Sequence, residues 1–141
     1  MRIAVIGYSC SGKTTLTHEL AKAFPEMRVF HTDEYQATGF SAAMYQIMDD
    51  VLAHNGDSIV EGIHTYRLLR KGVETNKLHF DAIIECKTDE EKRINRYTKE
   101  RDASKLKSLP AFDKSLTKIY ADYVRMCEQS GRVPKVITYT S

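Results

Sequence analysis

The sequence lacks a long hydrophobic run. Its longest apolar run near the start is Ile3-Ala4-Val5-Ile6, although 42% of its 141 residues are hydrophobic. A signal peptide needs roughly 7–15 consecutive apolar residues, and a membrane-spanning helix needs about 20. We therefore expect neither a leader nor a membrane partner, and we expect one compact domain over residues 1–141.

Cysteine is scarce and has no pairing pattern. Cys10, Cys86 and Cys127 are far apart and form no CxxC motif. An odd number of cysteines without metal-ligand spacing argues against a disulfide framework and against a zinc site. Free thiols are typical of a reducing compartment, so the cytoplasm is the expected location.

An excess of charge of one sign is lacking as well. The 21 basic and 19 acidic residues leave a formal net charge of +2. That value is too close to neutral to indicate a nucleic-acid or membrane partner by itself. Repeats, low-complexity tracts and flexible linkers are also missing, and the three prolines and seven glycines are dispersed along the chain.

What is present is an alternation of short apolar runs with amphipathic patterns. The apolar runs predict five strands, at residues 2–7, 27–32, 58–62, 81–86 and 135–139. The amphipathic patterns predict five helices, at residues 13–24, after a capping Ser41, at residues 66–71 before Gly72, at residues 88–101, and along a final stretch closed by Gly131. This order predicts an α/β domain with a mostly parallel sheet, whose strands bring any ligand to one edge.

The first predicted strand runs into GYSCSGKT, residues 7–14, which is the full G-x-x-x-x-G-K-[ST] pattern. Its glycines let backbone N–H groups point to one anion site at a helix N-terminus. Lys13 is expected to reach the β- and γ-phosphates, Thr14 to join the shell of a Mg²⁺ ion, and Thr15 to touch the α-phosphate. The predicted nucleotide-binding residues are Gly7, Ser9, Cys10, Ser11, Gly12, Lys13, Thr14 and Thr15. A strand-to-helix turn that binds nothing is the alternative.

Two acidic residues follow the second predicted strand, in HTDEY, residues 31–35. A carboxylate there projects over the same edge of the sheet as residues 7–14, which we call the phosphate loop. Asp33, and after it Glu34, can take a proton from an acceptor hydroxyl or orient water around Mg²⁺. The alternative is an aspartate that only caps a loop or helix. His31 is expected to pack or hydrogen-bond on the strand, without a catalytic role.

Glu61 interrupts the third predicted strand at its exit beside the phosphate loop. A carboxylate in such a place needs a partner, and Mg²⁺ or its water shell is a natural one. The alternative is an ion pair with a nearby basic side chain such as Arg67. We expect the active-site role, since the sheet topology directs Glu61 to the phosphate site.

Residues 88–112 are predicted to form a lid. On its helix Arg93 and Arg101 fall on one stripe, with Arg96 beside them. Guanidinium groups on a mobile helix can fold over a triphosphate and neutralise charge in the transition state. A solvated basic face is the alternative. Arg67 and Arg70, which follow the third strand, are candidates for binding an acceptor phosphate.

The order GYSCSGKTT, HTDEY, IVEG and RINRYTKER resembles the small-molecule branch of the P-loop kinases. Uridine kinases, nicotinamide riboside kinases and nucleoside monophosphate kinases belong to this branch. The resemblance implies a three-layer α/β sandwich with a five-stranded parallel sheet in the order 2-3-1-4-5, and a small lid that bears arginines. It also implies that Asp33 acts as the base and contacts Mg²⁺ through water, and that Glu61 is the acidic residue that ends the third strand. The lid arginine is then Arg93, Arg96 or Arg101.

A second resemblance is to the kinase domain of polynucleotide 5′-kinases, through DEYQ and HNGDSIVEGIHTYRLLRKGVE. In that group a D-x-Y/R segment follows the second strand, and a helix after the third strand bears an arginine. The resemblance implies that Asp33 activates a 5′-hydroxyl. Tyr35, Arg67 and Arg70 are the candidate acceptor-binding residues.

The chain also departs from these families. It stops two residues after the fifth predicted strand, where relatives continue into a loop that touches the adenine and into a closing helix. Base recognition is then expected to be looser, or to involve Tyr97 or another lid residue. The acceptor-side region, residues 33–57, is short for a separate nucleotide-acceptor domain, which argues against a standard monophosphate kinase.

Other classes of P-loop protein fit less well. A GTPase needs an N/T-K-x-D segment, and the nearest match, Thr75-Asn76-Lys77-Leu78, lacks the aspartate. A motor-type ATPase has an Asp-Asp or Asp-Glu pair after a strand, where this chain has Glu61-Gly62. We therefore expect an ATP-dependent phosphotransferase that uses ATP and Mg²⁺, with a small hydroxyl or phosphate acceptor of the nucleoside or nucleotide class. The alternatives are a polynucleotide 5′-hydroxyl kinase, and an NTP hydrolase or binding module without an acceptor. No protein partner is implied.

Overall fold

Five strands form one sheet in the computed structural model, which describes residues 1–100 and 103–141. The strands are β1 Arg2–Ile6, β2 Arg28–His31, β3 Ser58–Glu61, β4 Ala82–Lys87 and β5 Lys135–Thr140. Each neighbouring pair is parallel, and the spatial order is β2-β3-β1-β4-β5. The predicted fold class is therefore confirmed, including the strand order.

Five α-helices connect and cover the strands. They are α1 Lys13–Ala23, α2 Phe40–Ala53, α3 Thr65–Glu74, α4 Glu90–Glu100 and α5 Leu109–Ser130. Two 3₁₀ segments, Thr32–Thr38 and Ala103–Ser108, lead into α2 and α5. Among the described residues, no helix has both the length and the apolar composition that crossing a membrane requires.

The helices and the sheet make three layers. Side chains alternate along β1, so that Ala4 and Ile6 face one side and Val5 the other. The larger core lies on the first side, under α2, α3 and α5, and the smaller core lies on the second side, under α1. Because β1 and β3 are covered on both faces, their sequences read as continuous apolar runs rather than alternating ones.

The helix boundaries at Ser41 and Gly72 differ from the sequence-based expectation, which left the start of the last helix open. Helix α2 begins at Phe40 after Gly39, so Ser41 lies inside the helix instead of capping it. Helix α3 continues through Gly72 to Glu74, because the glycine is needed for packing and not for ending the helix: a Cβ there would lie 2.5 Å from the carbonyl oxygen of Leu78. Helix α5 starts at Leu109, with Pro110 in its first turn, where proline is tolerated.

The parallel arrangement brings the carboxyl ends of the strands to one edge of the sheet. The register pairs Val5 of β1 with Glu61 of β3, and His31 of β2 with the same Glu61. The loop after β1, the 3₁₀ segment after β2 and the turn after β3 therefore meet at one place. That edge is where the topology predicts a ligand.

Candidate active site

An open cleft of about 630 Å³ lies at this edge of the sheet. It runs from the phosphate loop to the ends of β2 and β3, and α4, α5 and the end of β5 border it. Its lining residues are Ser9, Cys10, Ser11, Gly12, Lys13, Thr14, Thr15, Asp33, Glu61, Gly62, Ile63, Arg96, Phe112, Tyr139 and Ser141. Most of the predicted nucleotide-binding residues thus border one space. Gly7 is buried behind it.

The phosphate loop has the shape that an anion site needs. Gly12 is the N-cap of α1 and has a φ of 97°, in the left-handed region that favours glycine. The amide of Ser11 bonds back to the carbonyl of Tyr8 at 3.1 Å, which closes the turn. The first N–H groups of a helix have no partner within the helix, so those of α1 are available to a ligand in the cleft.

Lys13 is held inside this loop by backbone oxygens. Its Nζ donates to the carbonyls of Gly7 and Tyr8, each at 2.8 Å. Burial lowers the pKa of Lys13 to about 8, while the negative charge of Glu61 acts in the opposite direction. A lowering from 10.5 to about 8 corresponds to about 3 kcal/mol of unfavourable burial of the charge. The nearby negative charges therefore do not fully offset the cost of burying the Lys13 cation.

Glu61 is a buried carboxylate with a different partner on each oxygen. It is 6% exposed. Its Oε2 lies 2.7 Å from Nδ1 of His31, and its Oε1 accepts a 3.5 Å hydrogen bond from the Thr14 hydroxyl. The basic partner in the structure is thus His31, for which the sequence indicated only packing or hydrogen bonding, whereas Arg67 lines a separate groove.

The oxygen atoms at this point suit a hard cation. The hydroxyl of Thr14 and the carboxylates of Glu61 and Asp33 border the same cleft. Within the described part of the chain, no cluster of three or more His, Cys, Asp or Glu residues could hold a metal ion alone. Mg²⁺ is usually bound by one or two carboxylates together with the phosphates of a substrate. The donor set therefore fits a Mg²⁺ ion that arrives with a triphosphate.

Asp33 is the acidic residue of the HTDEY segment that lines the cleft, and Glu34 is exposed outside it. Asp33 lies in the 3₁₀ segment directly after β2. Across from it, Gly62 has a φ of 127°, and a Cβ at this position would collide with the Thr32 side chain. The close approach of these two backbones keeps the Asp33 segment beside Glu61.

Helix α4 contacts the phosphate loop through two arginines in different ways. Arg96 borders the cleft, and its Nη1 donates to the carbonyl of Cys10 at 3.2 Å. Arg93 is 2% exposed, and its guanidinium lies 5.1 Å from the centre of the Tyr8 ring. It does not line the cleft but forms an ion pair with Asp113 of α5. The third predicted lid arginine, Arg101, lies outside the described residues.

The buried pair of Arg93 and Asp113 is only partly satisfied. Among the described residues, Nε and Nη1 of Arg93 and Oδ1 of Asp113 are buried without a hydrogen-bond partner. Burial raises the pKa of Asp113, against the opposing effect of the Arg93 charge. Poor solvation disfavours the charged form of the carboxyl group, and the neighbouring guanidinium favours it.

The three candidate acceptor-binding residues do not line the cleft. The hydroxyl of Tyr35 donates to Asp50 at 2.7 Å, and burial together with this bond raises the pKa of Tyr35 to about 12. Arg67 and Arg70 line a groove of about 160 Å³ between α2 and α3. Nη1 of Arg70 also lies 3.5 Å from Asp122 of α5. The structure thus separates these residues from the phosphate loop.

Several residues at the cleft were missed by sequence reasoning. Phe112, Tyr139 and Ser141 border it, and Ser141 donates from its hydroxyl to the carbonyl of Ser11 at 3.2 Å. Tyr139 and Ser141 end the fifth strand, so the parallel topology contains the signal that places them at this edge. Tyr97, suggested for base recognition, is buried instead. Tyr139, which is 41% exposed, is the aromatic residue of β5 that borders the cleft.

Known structures share this architecture, although sequence comparison finds no relatives. No protein-family model and no curated protein matches the chain. A structure of deoxyadenosine kinase from M. mycoides with dCMP and a flexible dCDP has a TM-score of 0.59 at 17% identity, covering 99% of this chain and 89% of that one. The same kinase with bound dCTP and with bound dATP gives TM-scores of 0.57 at 15% and 14% identity, covering 99% of this chain in each case and 90% and 91% of the kinase chains. The chain therefore shares the fold of these deoxyadenosine kinase structures.

The lowered pKa of Lys13 predicts how the affinity for ATP depends on pH. A phosphate binds the protonated lysine, and above pH 8 a growing fraction of the free protein has lost that proton. We expect the Kd of metal-free ATP to be nearly constant from pH 7.3 to 7.8 and to rise about tenfold per pH unit between pH 8.5 and 9.5. Isothermal titration calorimetry measures this Kd and the proton taken up on binding. Lys13→Arg, which does not titrate in this range, is expected to show a flat profile, and an equal slope in both proteins would contradict the assignment.

The pair of Arg93 and Asp113 predicts a non-additive effect on stability. Arg93→Met leaves Asp113 without its cation, and Asp113→Leu leaves Arg93 with only the exposed Glu90, 3.5 Å away, so each is expected to lower the free energy of unfolding by about 3 kcal/mol. The double variant leaves neither charge and is expected to lose less than either single variant. Arg125→Met is the matched control, because Arg125 is 61% exposed and pairs with Asp122 at the surface. It is expected to cost about 0.5 kcal/mol or less in urea unfolding. Additive losses in the double variant would refute the coupling.

Proposed function

We propose that the protein is an ATP-dependent phosphotransferase whose acceptor is a nucleoside or nucleotide. The observation that carries this proposal is that Asp33 borders the same cleft as the phosphate loop. A nucleotide-binding module needs the loop alone, whereas transfer needs a second group at the far side of the γ-phosphate that can receive a proton. The fold shared with deoxyadenosine kinase supports the proposal.

The donor triphosphate would lie along the N-terminus of α1. Its phosphate oxygens accept hydrogen bonds from the loop amides, and Lys13 moves from the carbonyls of Gly7 and Tyr8 to the β- and γ-phosphates. Mg²⁺, when bound, would supply positive charge that offsets the negative charge of the phosphates. Thr14 and Glu61 would hold it, the first through its hydroxyl and the second through its carboxylate.

The transfer step would take place between the triphosphate and Asp33. The acceptor hydroxyl gives its proton to the Asp33 carboxylate as its oxygen bonds to the γ-phosphorus, and the bond from that phosphorus to the bridging oxygen breaks to release ADP. Arg96 already contacts the phosphate loop and is the described lid arginine closest to the cleft. We assign to it the neutralisation of charge on the transferring group. Arg93 would join only if it left Asp113.

The size of the cleft supports a small acceptor. Pockets for small ligands and cofactors span roughly 300–1,000 Å³. A cleft of about 630 Å³ therefore admits a nucleotide and leaves limited space beside it. Within this class we include the ribonucleosides and nicotinamide riboside used by the kinases that the sequence resembles. The three cysteines form no disulfide with one another, which supports the cytoplasm as the location.

A specific observation favours a second acceptor, the 5′ end of a polynucleotide. Arg67, Arg70 and Lys71 line the groove between α2 and α3 together with Glu74, and Arg70 pairs with both Glu74 and Asp122. Burial is the main cause that lowers the pKa of His64, the charge of Arg67 lowers it further, and Asp33 acts in the opposite direction, so both charges act on this one side chain. An acceptor with phosphates beyond its reacting hydroxyl would place them along this basic groove.

Transfer of labelled γ-phosphate from ATP tests these assignments. The acceptor panel contains ribonucleosides, deoxynucleosides, nicotinamide riboside, nucleoside monophosphates and a 5′-hydroxyl oligonucleotide. Asp33→Asn keeps the size of the side chain but removes the base, so we expect it to lower transfer at least a hundredfold while the Kd of ATP changes little. Glu34→Gln, one residue further along, is the matched control and is expected to keep its activity.

The outcomes separate the candidate functions. Label on a nucleoside or nucleotide that depends on Asp33 supports the proposal, and label on the oligonucleotide supports the second acceptor. ATP that is bound but passed to none of the acceptors would exclude both. Release of phosphate to water alone would then favour a hydrolase.

A further inference from the structure

His31 and Glu61 face each other across two neighbouring strands. They are register partners at the carboxyl ends of β2 and β3. Nδ1 of His31 lies 2.7 Å from Oε2 of Glu61. An ionised carboxylate only accepts hydrogen bonds, so Nδ1 carries the hydrogen and donates it. The glutamate side chain is 7% exposed and the histidine side chain 35%, so the ring shields the carboxylate from the β2 side.

The bond to His31 fixes which oxygen of Glu61 faces the phosphate loop. With Oε2 engaged, Oε1 is the atom directed at Thr14, whose hydroxyl lies 3.5 Å away. A carboxylate that is held at one oxygen by a ring on a strand cannot rotate freely about its last torsion. Its second oxygen therefore keeps one direction, towards Thr14 in the first turn of α1.

We propose that His31 is a positioning residue, which holds Glu61 in the orientation that binds the Mg²⁺ of the Mg·ATP complex. The inference rests on the proposed function, because it assigns a role in binding Mg·ATP. Groups that hold a metal ligand in place commonly account for a ten- to hundredfold difference in metal affinity. His31 acts through Glu61 and needs no contact with the metal or the nucleotide.

The charge of Lys13 explains why such a residue is needed. Glu61 is the strongest of the negative groups that act on Lys13. Without His31, Oε2 would be a buried acceptor without a donor, and the nearest unsatisfied cation would attract it. A Glu61 side chain turned towards Lys13 would no longer direct Oε1 at the site beside Thr14 where the metal of Mg·ATP is proposed to bind. The bond to His31 keeps Glu61 and Lys13 apart, which leaves Lys13 on the carbonyls of Gly7 and Tyr8.

Three substitutions at position 31 separate the hydrogen bond from the shape of the ring. In His31→Asn, the amide nitrogen takes nearly the place of Nδ1 and can donate to Glu61. In His31→Gln, the amide nitrogen reaches to about the place of Nε2 and misses Glu61. His31→Leu fills the space without a donor. His18→Gln, at an exposed position of α1, is the control for loss of a histidine elsewhere.

The measurement is the Kd of ATP in EDTA and the Kd of Mn·ATP, both at pH 7.5, without any acceptor. The ratio of these two constants reports how much the metal adds to binding, and Mn²⁺ allows a second readout by electron paramagnetic resonance. We expect His31→Gln and His31→Leu to lower the ratio ten- to hundredfold while the Kd of ATP in EDTA changes less than threefold. His31→Asn and His18→Gln are expected to stay within threefold of the wild-type ratio.

Every other result would overturn either this inference or the proposed function on which it rests. An unchanged ratio in His31→Gln and His31→Leu would show that His31 does not position Glu61, with the proposed function left intact. Equal loss in His31→Asn would show that the Nδ1 hydrogen bond is not the cause. Weaker binding of ATP in EDTA, in step with Mn·ATP, would indicate general damage to the loop. A wild-type protein that binds neither form of ATP would overturn the proposed function as well.

Discussion

The carboxylate of Glu61 is the constraint around which the site is arranged. A charge that is 6% exposed at the end of a central strand is stable only with partners nearby. The fold provides His31 from β2, Thr14 from α1 and the electrostatic effect of Lys13. These partners come from α1 and β2, so the carboxylate at the end of β3 ties together three segments that are distant in sequence. Its energetic need for a cation supports the proposal that Mg²⁺ and phosphate bind at this edge of the sheet.

A second set of contacts ties the phosphate loop to the helices on its other side. Tyr8 bonds through its hydroxyl to Thr117 of α5, and its ring lies against the guanidinium of Arg93. Arg96, one turn further along α4, bonds to the carbonyl of Cys10. Helix α4 is thus docked on the loop, so a ligand that changes the conformation of the loop would also act on α4.

Much of this arrangement follows from the sequence, because strand periodicity and the phosphate loop are local signals. The apolar runs located all five strands, and the loop pattern located the anion site between β1 and α1. The partner of Glu61 depended on strand register, which pairs His31 with it and which no local pattern specifies. The burial of Arg93 depended on Asp113, twenty residues away on another helix. A basic residue on a charged helix gives no local sign that it will be buried.

The most direct test of this account compares the Kd of ATP, with and without Mg²⁺, for the wild-type protein and Glu61→Gln. The substitution keeps the shape and the contact with Thr14 but removes the negative charge. The account predicts opposite changes: metal-free ATP binds several-fold more tightly, because repulsion of the phosphates is removed, and Mg²⁺ no longer strengthens binding. If Glu61→Gln kept the full effect of Mg²⁺, the buried carboxylate would not be the metal-binding group, and the account would be contradicted.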